Sequence, residues 1–198
     1  MTLTDEAQAE RKRQLVEDAL ADRDIVSATA PRFFSVAPTL AYRNRLRLRV
    51  SGDGIVGYFN ADKDLDCAVV TPEVRTLIGT LRTVSVADPG LMAGVDYLEV
   101  RGPDVDGAAA IALYPRKGAR IDREKLTQEV GSAVRVEIPP ITAAEDRQTQ
   151  RFVVHESTWV RIPIGGFMQV NHAVNSALVD YVLERVCETR AENFLDLY

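Results

Sequence analysis

Residues 41–50, AYRNRLRLRV, constrain the chain more than any other segment. The alternation places Tyr42, Asn44, Leu46, Leu48 and Val50 on one side of an extended chain. Arg43, Arg45, Arg47 and Arg49 fall on the other. That is the pattern of a half-buried strand, with a core on one face and a strongly basic face opposite. Ser51-Gly52-Asp53-Gly54 is turn chemistry, and residues 55–60 supply the return arm of a hairpin.

The remaining elements follow from spacing. Residues 4–21 lack Gly and Pro and read as a helix with a narrow apolar stripe of Leu15, Val16, Ala19 and Leu20. Pro72 opens a helix over 73–86, with Val74, Leu77, Ile78 and Leu81 at helical spacing. Residues 96–101 and 108–114 form a second hairpin. Residues 122–131 are a short helix and 133–138 a short strand. A loop over 139–146 is a plausible boundary. A third hairpin covers 151–155 and 158–162. Residues 171–190 are amphipathic, with Val174, Ala177, Leu178, Tyr181, Val182, Arg185 and Val186 on one face. Residues 193–198, NFLDLY, read as a buried strand. Antiparallel hairpins partly segregated from helices define an α+β class. The final helix and strand read instead as the opening of an α/β unit. The expected organisation is an N-terminal helix (1–24), a central α+β domain (25–150) and the start of a further domain (151–198).

Composition decides the class of chain. With 46% apolar and 27% charged residues, this is an ordinary globular sequence. Two cysteines, Cys67 and Cys187, exclude a disulfide scaffold and a four-thiolate site made by this chain alone. No apolar run approaches the ~20 residues needed to span a bilayer. The charged start, MTLTDEAQAERKRQ, has no apolar core of a secretory signal, so the expected location is cytoplasmic.

Three constellations can carry chemistry. Residues 26–60 hold five Arg against one acid, Asp53, an excess of +4 in a chain of net −5. Guanidinium groups repeating every ~6.5–7 Å along a strand match successive phosphates, and Arg binds phosphate bidentately. The alternative is a solvated strand face, or arginines paired with acids elsewhere. In residues 162–171, IPIGGFMQVN, two Gly permit close backbone approach, Phe167 offers a stacking face and Gln169 a two-sided amide. Gln169 reads alternatively as a loop amide satisfied by backbone, and Asn171 reads foremost as a helix N-cap. Asp196 and Tyr198 end the last strand, where open α/β sheets bind ligands, or they simply close a buried strand. His155 and His172 lack matching ligands for a metal. Neither a G-x-G-x-x-G, a P-loop nor a G-x-S-x-G motif is present.

Taken in order, these blocks resemble the RNA (uracil-5-)-methyltransferases. The quoted segments are residues 5–20, the Tyr42-Arg43-Asn44 strand with Gly57-Tyr58-Phe59, Cys67 with Pro72, Phe167-Met168-Gln169-Val170-Asn171, and Phe194-Leu195-Asp196-Leu197-Tyr198. The resemblance implies a class I methyltransferase using S-adenosyl-L-methionine on carbon 5 of a uridine in rRNA or tRNA. In that chemistry a cysteine thiolate adds to carbon 6, the methyl group is transferred, and a base removes the carbon-5 proton. It implies that Gln169 and Tyr198 hold the methyl donor. It also implies that Arg43, Arg45, Arg47 and Arg49, with Phe167, face RNA.

The departures shape the expectation. The sequence ends at Tyr198, before the family's Cys-Gly-x-Gly loop, and neither Cys67 nor Cys187 stands where the nucleophile belongs. Cys67 matches one ligand position of the family's 4Fe–4S cluster, but no cysteine precedes it, so the cluster is not expected here. Met168 stands where an aromatic residue is common. The expected entity is a fragment carrying the central domain and the first helix and strand of a Rossmann-like methyltransferase domain. It is expected to be catalytically silent alone, to partner a catalytic C-terminal half, and to fray or self-associate after residue 171. The alternative is a stand-alone RNA-binding module that has lost catalysis.

Overall fold

A computed structural model describes residues 4–25, 39–59, 67–139, 148–189 and 193. The chain forms two compact units, residues 1–39 and 40–198. The first contains α1 (Asp5–Ala21), capped by Thr4, whose hydroxyl accepts the Ala7 amide at 3.3 Å. Asp5 and Glu6 in its first turn suit the positive end of the helix dipole. The expected buried stripe does not form: no residue of α1 is buried, and Leu15 and Val16 are exposed. Four scattered apolar positions make too narrow a face to be sequestered.

The second unit is α+β. Its elements are β1 (Arg45–Val50), β2 (Val56–Gly57), α2 (Pro72–Ala87), α3 (Pro89–Met92), β3 (Val95–Arg101), β4 (Ala109–Pro115), α4 (Arg123–Val130), β5 (Val134–Glu137), β6 (Thr149–His155), β7 (Thr158–Pro163) and α5 (His172–Thr189). Strands β1 to β5 form one sheet in the order β2-β1-β3-β4-β5, and β6 and β7 form a separate hairpin. All pairs are antiparallel except β4–β5, which is parallel and joined through α4. The short strand expected over 133–138 thus joins the sheet in parallel. A crossover helix between adjacent strands reverses the chain twice.

One face of the sheet is the core. Leu48, Val50, Leu98, Val100, Ile111, Leu113 and Val136 point the same way and meet Val74, Leu77, Ile78, Leu81 and Val84 of α2 and Leu126 of α4. Each such side chain contributes about 1.5–3 kcal/mol by leaving water. Pro72 at the first turn of α2 and the Thr71 cap (Val74 amide to Thr71 Oγ1, 3.4 Å) start that helix. The β1–β2 turn is fixed by Gly54, at φ +83°. A Cβ there would lie 2.0 Å from the Pro89 carbonyl oxygen. The expected arm over 55–60 shortens to Val56–Gly57, so Phe59 lies beyond the ladder.

The β6–β7 hairpin is stitched to the main sheet by polar groups. Gln150, fully buried, donates to the carbonyls of Gly102 (3.3 Å) and Ala108 (2.7 Å). Asp104 accepts from the amides of Asp106, Ala108 and Arg151, and from the Arg135 guanidinium at 2.8 Å. By contrast α5 has no buried residue, and Val174, Leu178, Val182 and Leu183 are exposed. Cys187, near the end of α5, is exposed. The loop over 140–146 and the NFLDLY strand lie outside the described residues, apart from Asn193.

Asp104 carries the hairpin junction, and its titration follows. Burial pushes its carboxyl up, but the Arg151, Ala108 and Asp106 amides and the Arg135 side chain outweigh burial and hold it below the ordinary value. A depressed carboxyl stabilises the fold above its unfolded value of about 3.9, and that stability is lost as pH falls through the folded value. Asp104→Asn is expected to cost about 3 kcal/mol at neutral pH. The gap to the parent chain should close below about pH 3.9. Denaturant titrations at a series of pH values check this; a gap independent of pH would refute it.

Candidate nucleic-acid interface

The sheet face opposite the core is the candidate site. Register places Arg45 beside Arg101, Arg47 beside Glu99 and Arg49 beside Tyr97. On β4, Ala110, Ala112 and Tyr114 continue these rows. Of the four expected arginines, Arg45, Arg47 and Arg49 share the outward row, and Arg47 and Arg49 are exposed. Arg43 leaves it. Residues 41–44 bend out of the sheet, and Arg43 bridges to Val70 on one side and Asn171 on the other.

Each outward guanidinium rests on an aromatic ring. Arg45 lies 5.5 Å from the Phe167 centroid, Arg47 4.8 Å from Tyr97 and Arg49 5.8 Å from Phe59. Tyr97 in turn stacks on Tyr114, with centroids 4.2 Å apart and planes within 14°. Burial, then the Glu99 carboxylate, raises the Tyr114 phenol above its usual range, so it stays neutral. Among the described residues, no carboxylate is paired with Arg47 or Arg49. Their charge is neutralised by neither the sheet nor the hairpin described.

Arg45 differs. Its Nε lies 3.8 Å from Glu99 and its Nη1 donates to the Gly166 carbonyl at 3.4 Å. Beside it Arg101 is 1% exposed. Arg101 donates to Glu99 Oε1 from Nε (3.0 Å) and Nη2 (2.9 Å), and to the carbonyls of Pro163 and Gly166. Burial pulls the Arg101 guanidinium below its ordinary value and Glu99 pushes back, which leaves an arginine charged at any working pH. Ile164 packs on Ala110 and Ala112, whose small side chains let the loop lie close. Gly165, at φ +84°, sits where a Cβ would meet Pro139 at 2.8 Å and the Tyr114 hydroxyl at 3.0 Å.

This loop carries Phe167 and Gln169. Phe167 is 73% exposed, Met168 is buried and Gln169 is exposed. Asn171 is the cap of α5, accepting the Val174 amide at 3.1 Å. The Asn44 amide donates to the Val170 carbonyl at 3.2 Å. The Ala41 and Arg43 amides donate to Ala68 and Val69, and the Thr71 amide donates to Arg43. The structure thus brings together three blocks far apart in sequence: residues 41–44, 67–71 and 170–171. Cys67 is half-buried against the core. Tyr198 lies outside the described residues. One exposed amide is a fraction of what a nucleoside-sized ligand needs. Among the described residues no His, Cys, Asp or Glu side chains group as metal ligands. None of the described helices is long and apolar enough to cross a membrane.

Sequence reasoning missed Glu99, Arg101, Tyr97 and Phe59 as parts of this face. The signal was present in VDYLEVR, where Tyr97, Glu99 and Arg101 alternate with Leu98 and Val100.

No family model matches the sequence, and no curated protein matches it. Among solved structures, the chain is similar to a Pyrococcus abyssi tRNA (uracil-54, C5)-methyltransferase in complex with S-adenosyl-L-homocysteine. The TM-score is 0.63 at 16% identity, over 92% of this chain. The match spans 49% of that enzyme, so this chain shares the fold of about half of it.

Arg101→Met separates the structural from the exposed arginines. It should cost about 3 kcal/mol by stranding Glu99, and should speed amide exchange over 166–170. Arg47→Ala should change stability by no more than ~0.5 kcal/mol. Equal losses from the two substitutions would contradict this division.

Proposed function

We propose that this chain is the RNA-facing part of an S-adenosyl-L-methionine-dependent RNA (uracil-5-)-methyltransferase acting in the cytoplasm on rRNA or tRNA. The observation that carries the reading is the outward row of Arg45, Arg47 and Arg49, each guanidinium seated on an aromatic ring. The shared fold with half of a tRNA-modifying enzyme supports it. Gln169 contributes an amide to the methyl donor, with Tyr198 as a second contact. Cys67 packs against the apolar core and Cys187 lies near the end of α5; the resemblance places the nucleophile at neither. The chain alone is therefore silent and needs a catalytic C-terminal half.

A second reading is a stand-alone RNA-binding module. It is favoured by one fact: the core beneath β1 uses no residue of α5. Mixing experiments distinguish the two. Methyl transfer from labelled S-adenosyl-L-methionine to unmodified tRNA or rRNA should be absent with this chain alone. It should appear on adding a C-terminal catalytic half. Product from the chain alone would overturn the silence; none on mixing would favour the module.

Both readings require RNA binding through the row. Arg47→Ala with Arg49→Ala should weaken binding and flatten the dependence of log K on log salt by roughly 1.4, at about 0.7 per lost single-strand phosphate contact. An unchanged slope in filter-binding titrations would remove the RNA-facing assignment.

A further inference from the structure

We propose that Phe59 is a base-stacking platform, and that the β1 row with Phe59 at one end and Phe167 at the other forms a track for unpaired RNA. The inference rests on the RNA-facing reading and goes further. It names the form of RNA and assigns Phe59 a role that the sequence did not suggest.

The two end rings differ from the middle one. Tyr97 has Arg47 against its ring at 4.8 Å and Tyr114 stacked at 4.2 Å, so its stacking capacity is used within the protein. Phe59 and Phe167 are 42% and 73% exposed. Each has an arginine beside it: Arg49 at 5.8 Å and Arg45 at 5.5 Å. A single exposed aromatic ring is unremarkable on a protein surface. Two of them, at the two ends of a row of cations, are the combination that strand-tracking proteins use: charge for the backbone, open rings for the bases. Arg45 and Arg49 are four residues apart on an extended strand, so the track is about 13 Å long and takes roughly three phosphates. A duplex would engage the cations, but its bases are already stacked on each other and offer no free face to Phe59.

The test uses the full chain with three probes: a short unstructured ribo-oligonucleotide, the same length without bases, and the oligonucleotide annealed to its complement. Phe59→Ala should weaken binding of the first about tenfold. It should leave the abasic and duplex probes, and the salt slope, unchanged. Phe59→Trp should restore affinity. In a Trp159→Phe background, its fluorescence should be quenched by the oligonucleotide and not by the abasic strand. This second readout stands if Phe59→Ala does not fold. Undiminished binding by Phe59→Ala, an equal loss on the abasic probe, or an unquenched tryptophan would overturn the platform. In those cases the RNA-facing reading survives if Arg47→Ala with Arg49→Ala still weakens binding. If that double variant binds like the parent, the RNA-facing reading itself fails.

Discussion

Arg101 places a permanent charge where almost none of its side chain meets water, and much of the site follows from how that charge is satisfied. Desolvating a guanidinium costs several kcal/mol unless every donor finds an acceptor. Glu99 takes two of the donors on one oxygen, and the carbonyls of Pro163 and Gly166 take others. Those carbonyls lie at the end of β7 and in the loop that presents Phe167 and Gln169. The loop is seated by the charge beneath it as well as by buried Ile164 and Met168. Arg45 shares Glu99 and Gly166 with Arg101, so the first arginine of the row is tied into the same network.

A second constraint operates on the backbone. Residues 41–44 give up the ladder of β1 and spend their amides and carbonyls on segments from elsewhere: residues 67–71 and Val170. The Asn44 carbonyl also accepts the Gly102 amide at 2.8 Å, at the end of β3. Four parts of the chain meet there, and the direction in which the loop leaves toward α5 is set by it. Residues 170–171 are therefore tied to the start of the arginine strand by backbone hydrogen bonding.

The sequence was most legible where one period dominated. Alternation placed Leu48 and Val50 in the core and Arg47 and Arg49 outside it. Helical spacing found α2, and the Asn171 cap was readable from its position before an amphipathic run. Resemblance of short ordered blocks pointed to the fold that the solved enzyme shares. Less legible was anything requiring pairing. The parallel β4–β5 contact depends on a crossover that no local pattern announces. Arg43 carried the same alternation as its neighbours, yet bridges Val70 and Asn171 instead. The period could not reveal that residues 41–44 had better partners for their backbone than a neighbouring strand. Arg101 and Glu99 looked like ordinary strand charges, because burial by a loop more than sixty residues away leaves no trace in their own spacing.

The arginine row thus divides by what lies beside it. Arg45 answers a buried carboxylate and a carbonyl as well as the Phe167 ring. Arg47 and Arg49 have rings beside them, and a ring orients a guanidinium without neutralising it. A chain of net −5 would repel a polyanion at long range. Screening removes most of that repulsion beyond ~8 Å at physiological ionic strength, whereas a guanidinium in contact with a phosphate is unaffected by the distant acids. Net charge therefore sets how fast such a face is found, and the local pairing of cation with ring sets what it holds once found.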